Sequence, residues 1–274
     1  MVESAADGSM TFWEHLEELR RRIFRAILAF FVGAGISWYF KEKLLLIITQ
    51  PFVSGWNTSS GTKPSLHFPA PASLFLAYVK IAVLGGFVLS LPIILFQLWS
   101  FVAPGLYARE KRFAIPFVVA SCGLFAGGAY FGWRFAFPTA FEYLLGLASV
   151  PADSPLLVEP TVMIEEYLEF IIQALVGFGV VFEIPVVVFF LAWAGLINHT
   201  HLIKFGRYFI VIAFILGAVL TPPDPLSQLM LAGPLCILYE ASIIGARFVE
   251  KKREEETSAE ANDTSADDTD FNAA

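Results

Sequence analysis

The run from Phe170 to Ile197 sets the strongest constraint on this chain: across 28 residues only Gln173 and Glu183 are polar. A spanning helix requires about 20 apolar residues, and backbone surrounded by lipid must satisfy its own N–H and C=O groups, which a helix does. At ~1.5 Å per residue the run is longer than a ~30 Å hydrocarbon core. It is expected to tilt, to kink at Pro185, or to project beyond the bilayer. Glu183 is the anomaly, because an ionised side chain at mid-membrane costs at least ~2.5 kcal/mol.

Hydropathy marks six candidate spans, at about 23–40, 76–99, 113–137, 166–196, 207–221 and 226–245. Only 16% of the 274 residues are charged and 57% are hydrophobic, whereas a soluble domain carries about 25% charged residues. The fold class is therefore an all-α integral membrane protein with six transmembrane helices. The fifth span has some fourteen apolar residues before Thr221 and would reach only ~21 Å. Beside it the bilayer should thin, or the helix should lie inside the protein. The segment 44–53, LLLIITQPFV, is too short to span and is expected to lie in the interface.

Basic residues orient the spans. Thirteen lie in loops on the N-terminal side, including Arg20, Arg109, Arg112, Arg207 and Lys251, against Lys41, Lys43, Lys63 and Arg134 opposite. The positive-inside rule then predicts that both termini are cytoplasmic. Residues 1–22 read as a cytoplasmic amphipathic segment, 23–245 as the six-span domain and 246–274 as a cytoplasmic tail. The last 21 residues hold eight acids and no base, so the tail is expected to be disordered and solvated. Nothing points to nucleic acid. The polar N-terminus lacks a small-residue cleavage site, so the first span is expected to be retained.

Chemistry-bearing candidates are few. The segment TFWEHLEELRRRIF carries Thr11 and Glu14 in capping-box spacing, and Glu14, Glu18 and Arg22 at i, i+4, i+8. It is either a salt-bridged surface helix or a set of acids awaiting a cationic ligand, and composition does not decide between them. The loop QLWSFVAPGLYAREKRF mixes Trp99, Phe101 and Tyr107 with Glu110 among bases. Aromatics there read first as interface-belt residues. Glu183 reads as a relay or partner site, with Gln173, Gln228 and Glu240 the other intramembrane polar groups. Cys122 and Cys236 lie in apolar runs as buried thiols. No nucleophile–base pair, metal-ligand cluster or phosphate-binding glycine loop occurs, so neither a metal nor another cofactor is expected. The triplet HTH at 199–201 lacks the spacing and acidic support of a metal site.

Four motifs taken together resemble the TatC family, the multispanning receptor subunits of the twin-arginine protein translocase. They are HLEELRRR (15–22), FVAPGLYAREKR (101–112), FGVVFEIP (178–185) and TPPDPLSQ (221–228), the last followed by Pro234 and Leu238-Tyr239-Glu240. The chain departs from the family pattern at 49–52, where TQPF replaces an alanine-proline pairing. The resemblance implies a curved, glove-like arrangement of six helices in a bacterial cytoplasmic (inner) membrane. It implies a non-enzymatic receptor and core that binds twin-arginine signal peptides and helps export folded proteins on the proton motive force. Glu18 and Glu110 match the acids that engage the paired arginines, with Leu16, Arg20, Phe101 and Tyr107 beside them. Glu183, Gln228 and Glu240 are expected to contact partners. Pro51, Pro104, Pro185, Pro222, Pro223 and Asp224 are expected to shape the backbone. TatA-like and TatB-like single-span partners, and several copies per complex, are implied as well. Two other readings are weighed against this one: a proton-coupled small-solute transporter using Glu183, and an intramembrane hydrolase, for which no Ser/His, paired-Asp or HExxH set is present.

Overall fold

A computed structural model of the chain describes residues 12–59, 63–102, 114–147, 160–221 and 224–271. The described chain is almost wholly helical: α1 Phe12–Tyr39, α2 Lys41–Ser59, α3 Pro71–Val102, α4 Ala114–Phe131, α5 Phe137–Gly146, α6 Ile164–Phe182, α7 Ile184–Trp193, α8 His199–Leu220 and α9 Pro225–Phe271. Two short strands, β1 Leu66–His67 and β2 Val162–Met163, pair in parallel, with Leu66 opposite Val162. Among the described residues six stretches are long and apolar enough to cross a membrane: Trp13–Tyr39, Pro71–Phe101, Ile115–Gly146, Ile164–Trp193, His199–Leu220 and Pro225–Lys251. They correspond one to one with the spans expected from hydropathy.

The long fourth span breaks where proline dictates. Pro185 has no N–H to offer the carbonyl four residues back. The chain tightens just before it, with the Glu183 N–H donating to the Val180 carbonyl at 3.0 Å, three residues back. Helix α6 stops at Phe182, Glu183 occupies the corner, and α7 restarts with Pro185 in its first turn. It ends on Gly195 at φ 73°, where the Leu196 N–H closes back on the Leu191 carbonyl; glycine takes that left-handed turn without steric cost. The third span carries a π-helical turn at Gly132–Ala136, just ahead of Pro138. Such widened turns are a recognised source of helix irregularity.

Packing divides the chain into two compact units. One comprises residues 1–49, 66–123 and 161–169, the other 50–65, 124–160 and 170–274. In the first, α1 lies along α3 at a crossing of small residues. A Cβ added to Gly86 would sit 2.6 Å from the Ala34 Cα, and one added to Gly33 would sit 2.8 Å from the Gly86 carbonyl oxygen. Apolar side chains gain little by leaving lipid for protein, so close van der Waals contact and interhelical hydrogen bonds hold such helices together. The bonds here are Trp99 Nε1 to Ser121 Oγ (2.9 Å) and the Tyr167 hydroxyl to the Ile48 carbonyl (2.6 Å).

The second unit is built on aromatic rings. Phe137 meets Phe178 at 5.3 Å and Phe170 at 6.1 Å, while Phe141 meets Phe52 and Phe170 at 5.8 Å each. Edge-on ring pairs of this kind add about 0.5–1.5 kcal/mol beyond the area they bury. Helices α8 and α9 are joined by the Phe209–Tyr239 stack, with centroids 3.9 Å apart, and by Tyr239 donating to the Leu202 carbonyl at 2.9 Å.

Helix α1 runs without a break through positions 22 and 23, because nothing in ELRRRIF interrupts a helix. Two expectations are corrected. Residues 246–271, expected to be disordered, continue α9 as helix; no glycine or proline follows Gly245 to stop it. The fifth span is a 22-residue helix, about 33 Å long, because the polar turns from His199 to Arg207 join its short apolar stretch. The segment 44–53 belongs to the 19-residue helix α2. Its Ile48, Pro51, Phe52 and Trp56 are buried in protein contacts, while Leu46 and Ile47 remain exposed.

Candidate functional site

The first half of α1 gathers most of the described candidates. Glu18 and Arg22 are one helical turn apart, and Arg22 donates through Nε (2.9 Å) and Nη2 to the same carboxylate oxygen, Oε1 of Glu18. The other oxygen, Oε2, is buried and accepts no hydrogen bond among the described residues. The neighbouring pair Glu17–Arg21, at 3.3 Å, is exposed on both sides. Exposed pairs of that kind contribute little; the Glu18 pair is different, with side chains only 22% and 17% exposed. A carboxylate has about four lone-pair positions, and Arg22 occupies one oxygen only. The second is left for a further guanidinium donor, and a charge-assisted bond there is about twice as strong as a neutral one.

His15, three residues before Glu18, stacks on Phe101 at 4.4 Å with the rings 19° from parallel. This contact brings the end of α3 beside the first turns of α1. The stretch that follows Phe101 in the chain includes Glu110. Glu110, Pro104 and Tyr107 lie outside the described residues, as do Thr11, Pro222 and Pro223. Leu16 and Arg20, with Leu19, Ile23, Phe24 and Ile27, border an open groove of about 710 Å³ along the same helix. Apolar positions at this spacing suit the apolar side chains of a bound segment.

Trp99 is not an interface-belt residue. It is 6% exposed, donates to Ser121 and packs on Phe117 at 5.4 Å, so it ties α3 to α4. That correction was out of reach of sequence reasoning, since belt and buried tryptophans share one composition.

The other candidates are spread through the second unit. Glu183 is half-buried at the α6–α7 corner. Gln228 donates to the Phe214 carbonyl at 2.7 Å, bridging α8 and α9. Glu240 is exposed on α9. Asp224 caps α9: its Oδ1 accepts the Ser227 N–H at 2.8 Å, the bond a helix start requires for its unpaired N–H groups. Pro51 lies buried within α2, and Pro185 is buried at the start of α7. Among the described residues no group of three or more His, Cys, Asp or Glu side chains could hold a metal.

Two pairings were not anticipated. Lys80 meets Glu169 at 3.4 Å, across 89 residues of sequence. His199, set aside as a metal ligand, meets Glu250 at 2.5 Å through Nδ1, and its backbone N–H donates to the same carboxylate oxygen at 3.2 Å. Glu250, about midway along α9, thereby caps the start of α8. An i,i+4 signal could not have found either pair.

Residues 14–234 match the family model described as Sec-independent protein translocase protein (TatC). The chain is similar to the Sec-independent protein translocase protein TatC of Desulforapulum autotrophicum, at 40% identity over 96% of this chain and 95% of that one. It is 37% identical to the TatC of Aquifex aeolicus, over 90% and 98% respectively. Its fold is similar to a crystal structure of the twin arginine translocase receptor TatC, with TM-score 0.71 and 36% identity over 86% of this chain and all of that one. A second crystal structure of that receptor, in DDM, also matches with TM-score 0.71, at 38% identity.

Proposed function

The chain belongs to the TatC family of Sec-independent protein translocase proteins, and from that premise we propose that the first half of α1 is where it receives twin-arginine signal peptides. It is a multi-pass membrane component of a protein translocase, working with other subunits of that system, and not an enzyme. The small-solute transporter and hydrolase readings find no support among its relatives.

In the proposed mechanism one arginine of the pair bonds the open oxygen of Glu18 and the other meets Glu110, a guanidinium being the planar donor that suits a carboxylate. The observation that supports this reading is the half-used carboxylate of Glu18, buried beside Arg22. His15 and Phe101 hold the α1 and α3 ends of the receptor together, and the groove along Leu16 and Arg20 takes the residues flanking the arginines. TatA-like and TatB-like single-span proteins then join, several copies of the complex assemble, and the proton motive force drives export. Glu183, Gln228 and Glu240 face those partner helices.

The proposed setting is the bacterial cytoplasmic membrane, with both termini inside. Tags at residues 5, 200 and 260 should be reached only from the cytoplasm, and tags after Asn57 and Asp224 only from outside. Exterior labelling at 200 would remove the pairing of the fourth and fifth spans. The site itself is tested by binding of a precursor to vesicles that carry this chain. A twin-arginine signal should bind and its twin-lysine counterpart should bind far more weakly, because a guanidinium can aim two N–H groups of one planar fork at a single carboxylate oxygen, as Arg22 does, and an ammonium has no such fork. Equal binding of the two would defeat the proposal.

A further inference from the structure

Opposite the receptor end, where α1 finishes, a second site is built from different chemistry. Ile36 of α1, Leu44 and Ile48 of α2, and Leu84, Val88 and Leu89 of α3 line a groove of about 390 Å³ that is almost wholly apolar. Ile36, Val88 and Leu89 are exposed, so the groove opens outward from the unit. An apolar lining of this kind offers water few hydrogen-bond partners. Its volume equals that of about a dozen water-sized groups at ~30 Å³ each, and it suits one hydrocarbon chain.

The rim is basic. Lys41 Nζ lies 5.0 Å from the centre of the Trp38 ring and 5.7 Å from that of Tyr78, so two aromatic faces fix the ammonium there. Lys43 Nζ lies 5.9 Å from the ring of Phe40, which is itself a wall of the groove. Glu42, exposed between them, leaves this turn with one net positive charge. Lys80 and Glu169, the nearby charged pair on α3 and α6, neutralise each other. Helix α2 begins here, its first bond running from the Leu44 N–H to the Phe40 carbonyl. The N–H groups of residues 41–43 therefore precede the helical ladder at the positive end of the helix dipole. Tryptophan, tyrosine and lysine at one level mark a bilayer interface. Four residues before Lys41, the Ser37 hydroxyl lies in the groove wall, 2% exposed and without a hydrogen-bond partner among the described residues. It supplies one donor below the charged rim.

We propose that this groove holds one acyl chain of an anionic glycerophospholipid, its phosphate on Lys41, Lys43 and the first turn of α2, with Ser37 at the depth of the ester carbonyls. The lipid fills the notch that α1, α2 and α3 leave between them, and it does so independently of signal-peptide recognition.

The test is native mass spectrometry of the purified full chain after exposure to dioleoyl-phosphatidylglycerol or dioleoyl-phosphatidylcholine. One phosphatidylglycerol should be retained, about tenfold better than phosphatidylcholine. K41Q/K43Q should lose that preference and K41R/K43R should keep it. L89W, which fills the groove from an exposed position, should release both lipids. If K41Q/K43Q does not fold, the L89W comparison decides. No headgroup preference, a preference untouched by K41Q/K43Q, or retention untouched by L89W would overturn the proposal. So would a dimer that L89W disperses, which would give this face to a second copy of the chain.

Discussion

Glu18 and Arg22 share one carboxylate oxygen and leave the other buried and unbonded among the described residues. A pair built only to stabilise a surface helix gains little from burial, since taking charges out of water is costly. Glu17 and Arg21 show the inexpensive arrangement one residue earlier, with both side chains exposed. The difference between the neighbouring pairs is what singles out Glu18.

Charge, rather than size, should therefore matter at this position. Glu18→Gln and Glu110→Gln should each weaken precursor binding, by about 1.5–3 kcal/mol for the loss of a charge-assisted bond, while the protein still accumulates. Binding affinity in vesicles measures this. Undiminished binding by the double Gln variant would mean that the acids only balance neighbouring arginines.

The close crossing of α1 and α3 makes a prediction about stability. At Gly86 a Cβ would meet the Ala34 backbone, which cannot swing aside, whereas at Gly35 nothing lies within 4 Å. Gly86→Ala should destabilise by about 1–3 kcal/mol, as overpacking does. Gly35→Ala should be neutral or slightly stabilising, since alanine is the better helix former. Thermal unfolding in detergent compares the two; equal melting temperatures would contradict the packing described.

Glu183 is expected to be functional rather than structural. Removing the acid of a buried structural ion pair costs ~3–5 kcal/mol because its partner keeps its charge, so accumulation of the variants separates the two roles. Glu183→Gln and Glu183→Ala should both accumulate and bind precursor, yet change the crosslinks formed from position 183 to partner helices. Degradation of both variants would make the glutamate a structural group.

Much of this was legible in the sequence because lipid imposes simple rules. Run length gave six spans, and Pro185 marked the break in the fourth. Other features depend on which helix meets which. Lys80 finds Glu169, His199 finds Glu250 and Trp99 finds Ser121 across 89, 51 and 22 residues. Periodicity along one helix carries no information about such partners. The helical course of residues 246–271 is hidden for a different reason: the acidic composition suits solvent, yet the stretch contains no glycine or proline to stop a helix.

The central claim is that paired arginines are received at Glu18 and Glu110. Photo-crosslinkers placed at positions 18 and 110 should capture a twin-arginine precursor, and the same probes should not capture its twin-lysine counterpart. Capture of both precursors alike, or of neither while the vesicles still bind the twin-arginine form, would place recognition elsewhere on the chain.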